Sequence, residues 1–234
     1  MLYRLQDLNA TPAGLIMEKM RRFVFCCLFL LILPGVTPAL AAPYDDTIGQ
    51  VRQQLAVIRY RTPDQAEQKA AIFALKHQAI DLGKVYPNKA EPMILQAAID
   101  VTKADIDSNY GSLLLIQQAR DLLLQADKIS PKALHALGPA ILGSLYHEAP
   151  EPPLSFGDQD LAKKYLEKAV ALNPSGLDTN YFYGKYLHDT GDDANAKTLL
   201  TKALAAPVQT DNEIGDKARR AEIKEILGDI DPQE

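Results

Sequence analysis

Tryptophan is absent from the 234 residues, and aromatic side chains as a whole reach only 7%. A chain so poor in aromatics and rich in Ala and Leu suits packed helices better than sheets. Ala and Leu are strong helix formers, whereas strands favour β-branched and aromatic residues. Cysteine is almost absent too. The two present, Cys26 and Cys27, sit side by side in one apolar run. The rest of the chain can therefore build neither a disulfide framework nor a thiolate nucleophile or Cys-based metal site. The formal net charge is −5, and no block of clustered Lys or Arg occurs. Nucleic acid is a poor partner for such a chain, because phosphate contacts need grouped cations.

Long hydrophobic runs are also scarce. The one that stands out, from Phe23 to Leu33, has 11 residues, short of the ~20 that a membrane-spanning helix needs. Lys19, Arg21 and Arg22 precede it, Pro34 and Gly35 break it, and Ala39, Leu40 and Ala41 follow. A basic start, an apolar run and a small-x-small site in that order read as a secretory signal peptide cleaved after Ala41. Residues 1–16 lie ahead of the basic start, so translation beginning at Met17 or Met20 fits the pattern. Phe25 rather than a small residue precedes Cys26, which argues against lipidation. The expectation is a periplasmic or secreted protein with no stable membrane insertion after cleavage. The remainder would carry 21 Lys/Arg against 28 Asp/Glu, a net of −7, and no cysteine.

Catalytic signatures are missing as well. His77, His135, His147 and His188 each stand alone, and neither HExxH nor GxSxG occurs. Gly138 and Gly143 match the outer glycines of a P-loop, but Ser144 stands where Lys is required. The adjacent acids Asp45–Asp46 and Asp192–Asp193 would point about 100° apart on a helix, so one ion does not easily engage both. They read as helix caps and turns. No catalytic residue, metal or cofactor is expected. An enzyme would need a polar site assembled from distant parts of the chain.

What the sequence does contain is repetition. Ala119 and Ala126, Ala162 and Ala169, and Ala196 and Ala203 form pairs seven residues apart. Seven residues is about two helical turns, so each pair shares a face and lets a neighbouring helix come close. Pro131, Pro174 and Pro207 follow the three pairs, and Pro87 follows an earlier helical run. Proline stops a helix there because it cannot continue the hydrogen-bond ladder. Ala162 and Ala196 are 34 residues apart, whereas Ala119 and Ala162 are 43 apart. The excess falls on 147–158, a segment rich in proline and glycine that reads as an insertion.

A spacing of 34 is the period of the tetratricopeptide repeat (TPR). Residues 177–208 resemble that family in detail. Tyr183–Gly184 stands at its Leu-Gly pair, Leu187 at its Tyr position and Gly191 at the turn glycine. Ala196, Leu200 and Ala203 occupy its second-helix positions. Leu142, Gly143 and Tyr146 fit the first helix of the preceding repeat. The motif is specific over about 138–208 and loose over 44–130. The resemblance implies an all-α, TPR-like α-solenoid of antiparallel helix pairs, about four repeats long, with a C-terminal capping helix. The divisions are 1–41 for the signal, 42–130 for divergent helical repeats, 131–208 for TPR repeats and 209–234 for the capping helix and tail. Helices are expected from about 46 to 59, 64 to 85, 92 to 109, 112 to 128, 132 to 147, 158 to 172, 178 to 189, 193 to 205 and 212 to 227.

In that family the first helix of each repeat lines a concave groove. Carried onto the last repeat, the groove stripe is Asp178, Tyr181, Lys185 and His188. Tyr146 and His147 are expected near the same wall, with Phe156 of the insertion folding over it. Inter-helix packing is the competing role for these aromatics, and Tyr183 reads as a core residue. The mixture suits a peptide or a small organic acid. The leading expectation is an exported, non-enzymatic scaffold that binds a protein or peptide in the cell envelope, as a monomer or a small oligomer. The alternative is a small-ligand-binding accessory of a transporter. An exported TPR chain with long connections is similar to the periplasmic T components associated with TRAP transporters, and the implied partner would be a solute-binding protein. Whether the groove is open or closes into a channel is not written in the pattern.

Overall fold

The structure is a computed structural model, and it describes residues 44–109 and 111–231. The signal-peptide reading falls outside these residues. The described chain is all-α, with nine helices and no strand among the described residues. They are α1 (Tyr44–Arg61), α2 (Gln65–Val85), α3 (Glu91–Asp107), α4 (Gly111–Ile129), α5 (Ala133–Glu148), α6 (Gln159–Leu172), α7 (Leu177–Asp189), α8 (Asp193–Leu204) and α9 (Glu213–Ile230). A short 3₁₀ turn (Thr210–Asn212) precedes α9. Among the described residues no helix is long and apolar enough to cross a membrane.

Aspartates start three of these helices. The carboxylates of Asp64, Asp158 and Asp192 accept from the backbone N–H of Glu67, Leu161 and Asn195, opening α2, α6 and α8. Each cap satisfies one of the donors left free at a helix start, worth about 1 kcal/mol. The start of α5 differs from the sequence expectation. Leu134, His135 and Ala136 have φ of 47°, 59° and 65°, a left-handed turn of non-glycine residues. The regular right-handed helix begins only at Leu137, so Pro139 falls in its first turn, where a missing N–H costs nothing. The Asn173 side chain donates to the His135 carbonyl at 3.0 Å and ties this turn to the end of α6.

The repeat signature is a packing device. Ala119, Ala126, Ala162, Ala169, Ala196 and Ala203 are all at most 1% exposed. A Cβ added to Gly143 would meet Leu166 at 2.6 Å, and one added to Gly184 would meet Leu200 at 2.8 Å. Glycine on the first helix and leucine on the second thus interlock in the same way in two successive pairs, α5/α6 and α7/α8.

Helices α1, α3, α5, α7 and α9 contact one another in succession, and α9 also packs on α1. The other helices back them, α4 on α3, α6 on α5 and α8 on α7. The last helix therefore caps α7 and α8, as expected, and then reaches on to the first described helix. The array closes into a ring of five inner helices. Three apolar clusters hold it. One joins α1, α2 and α3 around Val51, Ile72 and Ile99. A second joins α3 to α6 around Leu123 and Leu142. The third joins α7, α8 and α9 around Leu177, Leu200 and Ile223.

Candidate functional site

The ring surrounds a cavity of about 390 Å³ that stays partly open to solvent and is lined by one stripe from each inner helix. On α1 the stripe is Arg52, Leu55, Ala56, Arg59 and Tyr60. On α3 it is Leu95, Ala98, Val101, Thr102 and Asp105. On α5 it is Leu137, Ile141, Ser144, Leu145 and Glu148. On α7 it is Asp178, Tyr181, Phe182 and Lys185, and the turn into α9 adds Asn212, Gly215 and Arg219. Steps of three and four residues put each set on one helix face. The volume lies within the ordinary range of small-ligand pockets, roughly 300–1,000 Å³.

Charge on this wall runs against the charge of the chain. Four cationic side chains, Arg52, Arg59, Lys185 and Arg219, face three carboxylates, Asp105, Glu148 and Asp178. Arg59, Asp105, Glu148 and Lys185 stand near the C-terminal ends of α1, α3, α5 and α7 and form a belt at one end of the cavity. Arg59 Nη2 lies 3.5 Å from Asp105 Oδ2, and Lys185 Nζ lies 3.8 Å from Glu148 and 2.6 Å from Asp189. Desolvation by the protein around Asp105 pushes its carboxyl above the usual range despite Arg59, and Glu148 adds to the shift.

Arg219 is the centre of the opposite part. Its guanidinium lies 4.0 Å from the centre of the Tyr181 ring and 4.9 Å from that of Phe182. It pairs with Glu222 at 2.7 Å, and its Nε lies 3.4 Å from Asp178 Oδ1. Burial works against its charge, but Asp178, Tyr181, Tyr60 and Glu222 outweigh burial, so its pKa is raised and it stays protonated. Burial also pushes the Tyr181 hydroxyl up to about 12. Two polar atoms on this wall are buried without a hydrogen-bond partner, the donor Nε of Arg219 and the acceptor Oδ1 of Asn212. Such atoms cost about 1–3 kcal/mol each when unmet, and for Arg219 Nε the Asp178 carboxylate at 3.4 Å offsets part of that cost.

Of the residues singled out in the sequence, Asp178, Tyr181 and Lys185 line the cavity. Tyr146 does not. It is 8% exposed in the core cluster of α3 to α6, stacked on Tyr165 at 5.7 Å and met edge-on by Phe156 at 5.6 Å. The α5 stripe passes through Leu145 and Glu148, so Tyr146 and His147 are turned off it. His147 approaches Gln159 at 2.9 Å and Asp189 at 3.3 Å, and His188 approaches Asp193 at 2.6 Å. Arg52, Arg59, Asp105 and Arg219 join the wall without a sequence signal, because closure of the ring brings them in. Among the described residues no group of three or more His, Cys, Asp or Glu is placed to hold a metal.

The interlocked pairs and the ladder of alanines have a counterpart among known families. Residues 154–175 match the family model of the tetratricopeptide repeat. That stretch of the chain is a tetratricopeptide repeat segment. The match covers the end of the 147–158 connection, all of α6 and Pro174, which is the helix that supplies Ala162, Leu166 and Ala169. No curated protein matches the chain. TPR arrays are typically protein-interaction scaffolds without catalytic groups, and the fold falls in that broad class.

Proposed function

We propose that this TPR protein is an exported, non-catalytic scaffold that carries a small organic anion in its central cavity and works beside a protein partner in the cell envelope, as an accessory to solute transport. The observation that carries the proposal is the packing of α9 on α1, which converts the groove of an open array into a deep, partly open cavity. A cavity of about 390 Å³ suits one small molecule better than a folded partner. Its four cationic side chains, Arg52, Arg59, Lys185 and Arg219, can meet an anion, and Leu55, Val101, Leu137 and Ile141 supply apolar wall for its body. Export rests on the basic, apolar and small-residue order of residues 17–41.

The test is calorimetric titration with 4-phenylbutyrate and with its neutral amide, on the wild type and on Ala98→Trp. The acid is expected to bind one per chain, with the amide weaker by about tenfold or more, as one lost charge contact implies. The Trp side chain should fill the cavity and abolish both. Binding that survives in Ala98→Trp, or no saturable binding at all, would remove the cavity from the proposal. Amide binding as tight as the acid would remove the anion.

A further inference from the structure

The junctions around the ring are not alike. Leu134 of α5 packs against both the α1–α3 cluster and the α3–α6 cluster, and Phe182 of α7 packs against both the α3–α6 and α7–α9 clusters. Among the described residues no apolar cluster holds members from both α1 and α9. That seam is made of polar side chains. Arg52, 4% exposed, pairs with Asp211 and donates to Gln209 Oε1 at 2.6 Å, and Tyr60 donates to Glu222 at 3.1 Å. Gln209 in turn donates to Asp178 at 3.2 Å on the cavity wall. Directly behind the seam, Arg52 and Tyr60 on one side and Asn212 and Arg219 on the other line the cavity.

An apolar junction that parts exposes surface to water at a cost proportional to area. Hydrogen bonds and ion pairs that part are replaced by bonds to water, which offset much of each loss. The seam between α1 and α9 is the junction of the ring that can part in this way. We propose that this seam is the gate of the cavity: the 3₁₀ turn and the first half of α9, ahead of Ile223, move away from α1 to admit and release the ligand, while the three apolar clusters stay intact. The gate rests on the reading of the cavity as a ligand site.

The backbone offers a direct lock. A Cβ on Gly49 would stand 3.4 Å from the Cβ of Asp211, close to the separation of about 3.5–4.5 Å that a disulfide spans. The test uses Gly49→Cys with Asp211→Cys in the full chain with Cys26 and Cys27 replaced by Ser, compared oxidised and reduced. Two quantities are read, amide hydrogen exchange along the chain and the rate at which bound 4-phenylbutyrate is displaced by excess ligand. In the wild type, which keeps Asp211, and in the reduced variant, the 3₁₀ turn and residues 213–222 should exchange faster than α3 to α6. Oxidation should bring that segment to the rate of those helices and slow ligand release by about tenfold or more, since local opening then needs wider unfolding.

If the 3₁₀ turn and residues 213–222 of the wild type exchange no faster than α3 to α6, the seam does not open and the gate is overturned. If ligand release is the same in both states, entry runs past the belt of Arg59, Asp105, Glu148 and Lys185, and the gate is again overturned. If oxidation slows α9 exchange but no ligand binds, the moving seam stands and the ligand reading fails.

Discussion

The Tyr60 hydroxyl donates to Glu222 Oε1 at 3.1 Å, across 162 residues of sequence, and joins the first described helix to the last. About two turns earlier on α1, Arg52 meets Asp211 just ahead of α9. The two contacts run in the same direction along both helices, so α1 and α9 lie parallel. That is the relation between successive first helices in the array, and the ring closes with the geometry of one more repeat.

Arg52→Met should loosen that closure without leaving a buried charge behind, since Asp211 is 44% exposed. Loss of hydrogen bonds to a charged group costs about 1.5–3 kcal/mol. Urea denaturation should show that loss, and hydrogen exchange should place its largest effect in α1 and α9. An effect spread evenly over α3 to α6 would contradict a local seam.

Two glycines separate packing from helix propensity. Gly143→Ala drives a methyl group to 2.6 Å from Leu166 Cγ, and overpacking of that kind costs about 1–3 kcal/mol. Gly228→Ala meets nothing within 4 Å on α9 and should stabilise by about 0.4–1 kcal/mol through the unfolded chain. Urea titrations of the two variants side by side should give opposite signs.

The helices were legible because their ends are chemical. Asp64, Asp158 and Asp192 cap, and Pro87, Pro131, Pro174 and Pro207 stop. Alanine pairs seven apart announced the close faces, and all of them are buried. The cavity was legible only where a family stripe could be laid on a single helix, which gave Asp178, Tyr181 and Lys185. It failed on α5, where Tyr146 lies one position off the stripe through Leu145. At 3.6 residues per turn, one position rotates a side chain by about 100°, from the cavity into the core. Arg219 and Arg59 had no local signal at all. Arg219 meets the site through contacts between the two ends of the described fold and Arg59 through the packing of α1 on α3, neither of which any periodicity along one helix encodes.

Phe156 tests that distinction. Its ring lies under the Arg120 guanidinium at 4.6 Å and against Tyr146, so the 147–158 connection is pinned to the core and not folded over the cavity. Phe156→Ala should cost about 2–3 kcal/mol, below a fully buried Phe because the ring is only half-buried. Affinity for 4-phenylbutyrate should not change. A calorimetric loss of binding with unaltered stability would put Phe156 back on the ligand.

Asp100 gives the fold an unusual response to pH. It is 2% exposed and accepts from Lys76 Nζ at 2.6 Å. Burial nevertheless outweighs Lys76, and its carboxyl is raised above the ordinary 3.8. A raised acid binds its proton more tightly folded than unfolded. Its contribution to stability is complete below about 3.8 and is lost as pH rises through the folded value. Asp100→Asn removes this titration. Relative to wild type, the variant should therefore gain stability between pH 3 and pH 7, read as the difference in urea midpoints multiplied by the slope. A difference that is flat, or that falls with pH, would show that Lys76 dominates instead.

Asp105 applies the same sign to binding. Its carboxyl is raised by desolvation, with Arg59 opposing and Glu148 adding to the shift. At neutral pH it is a negative charge on the cavity belt and engages Arg59 at 3.5 Å. Asp105→Asn removes the charge and releases the guanidinium, so 4-phenylbutyrate should bind about three- to tenfold tighter, the scale of one partly solvated charge contact. As pH falls through the raised pKa of Asp105, the wild-type carboxyl takes up a proton and becomes neutral like the variant. The ratio of the two affinities should therefore shrink toward one, and protonation of the ligand itself cancels in that ratio. Calorimetry in steps from pH 7.5 to the acid edge of the folded range measures it directly. A ratio that stays constant over the whole range would mean that Asp105 does not face the bound anion.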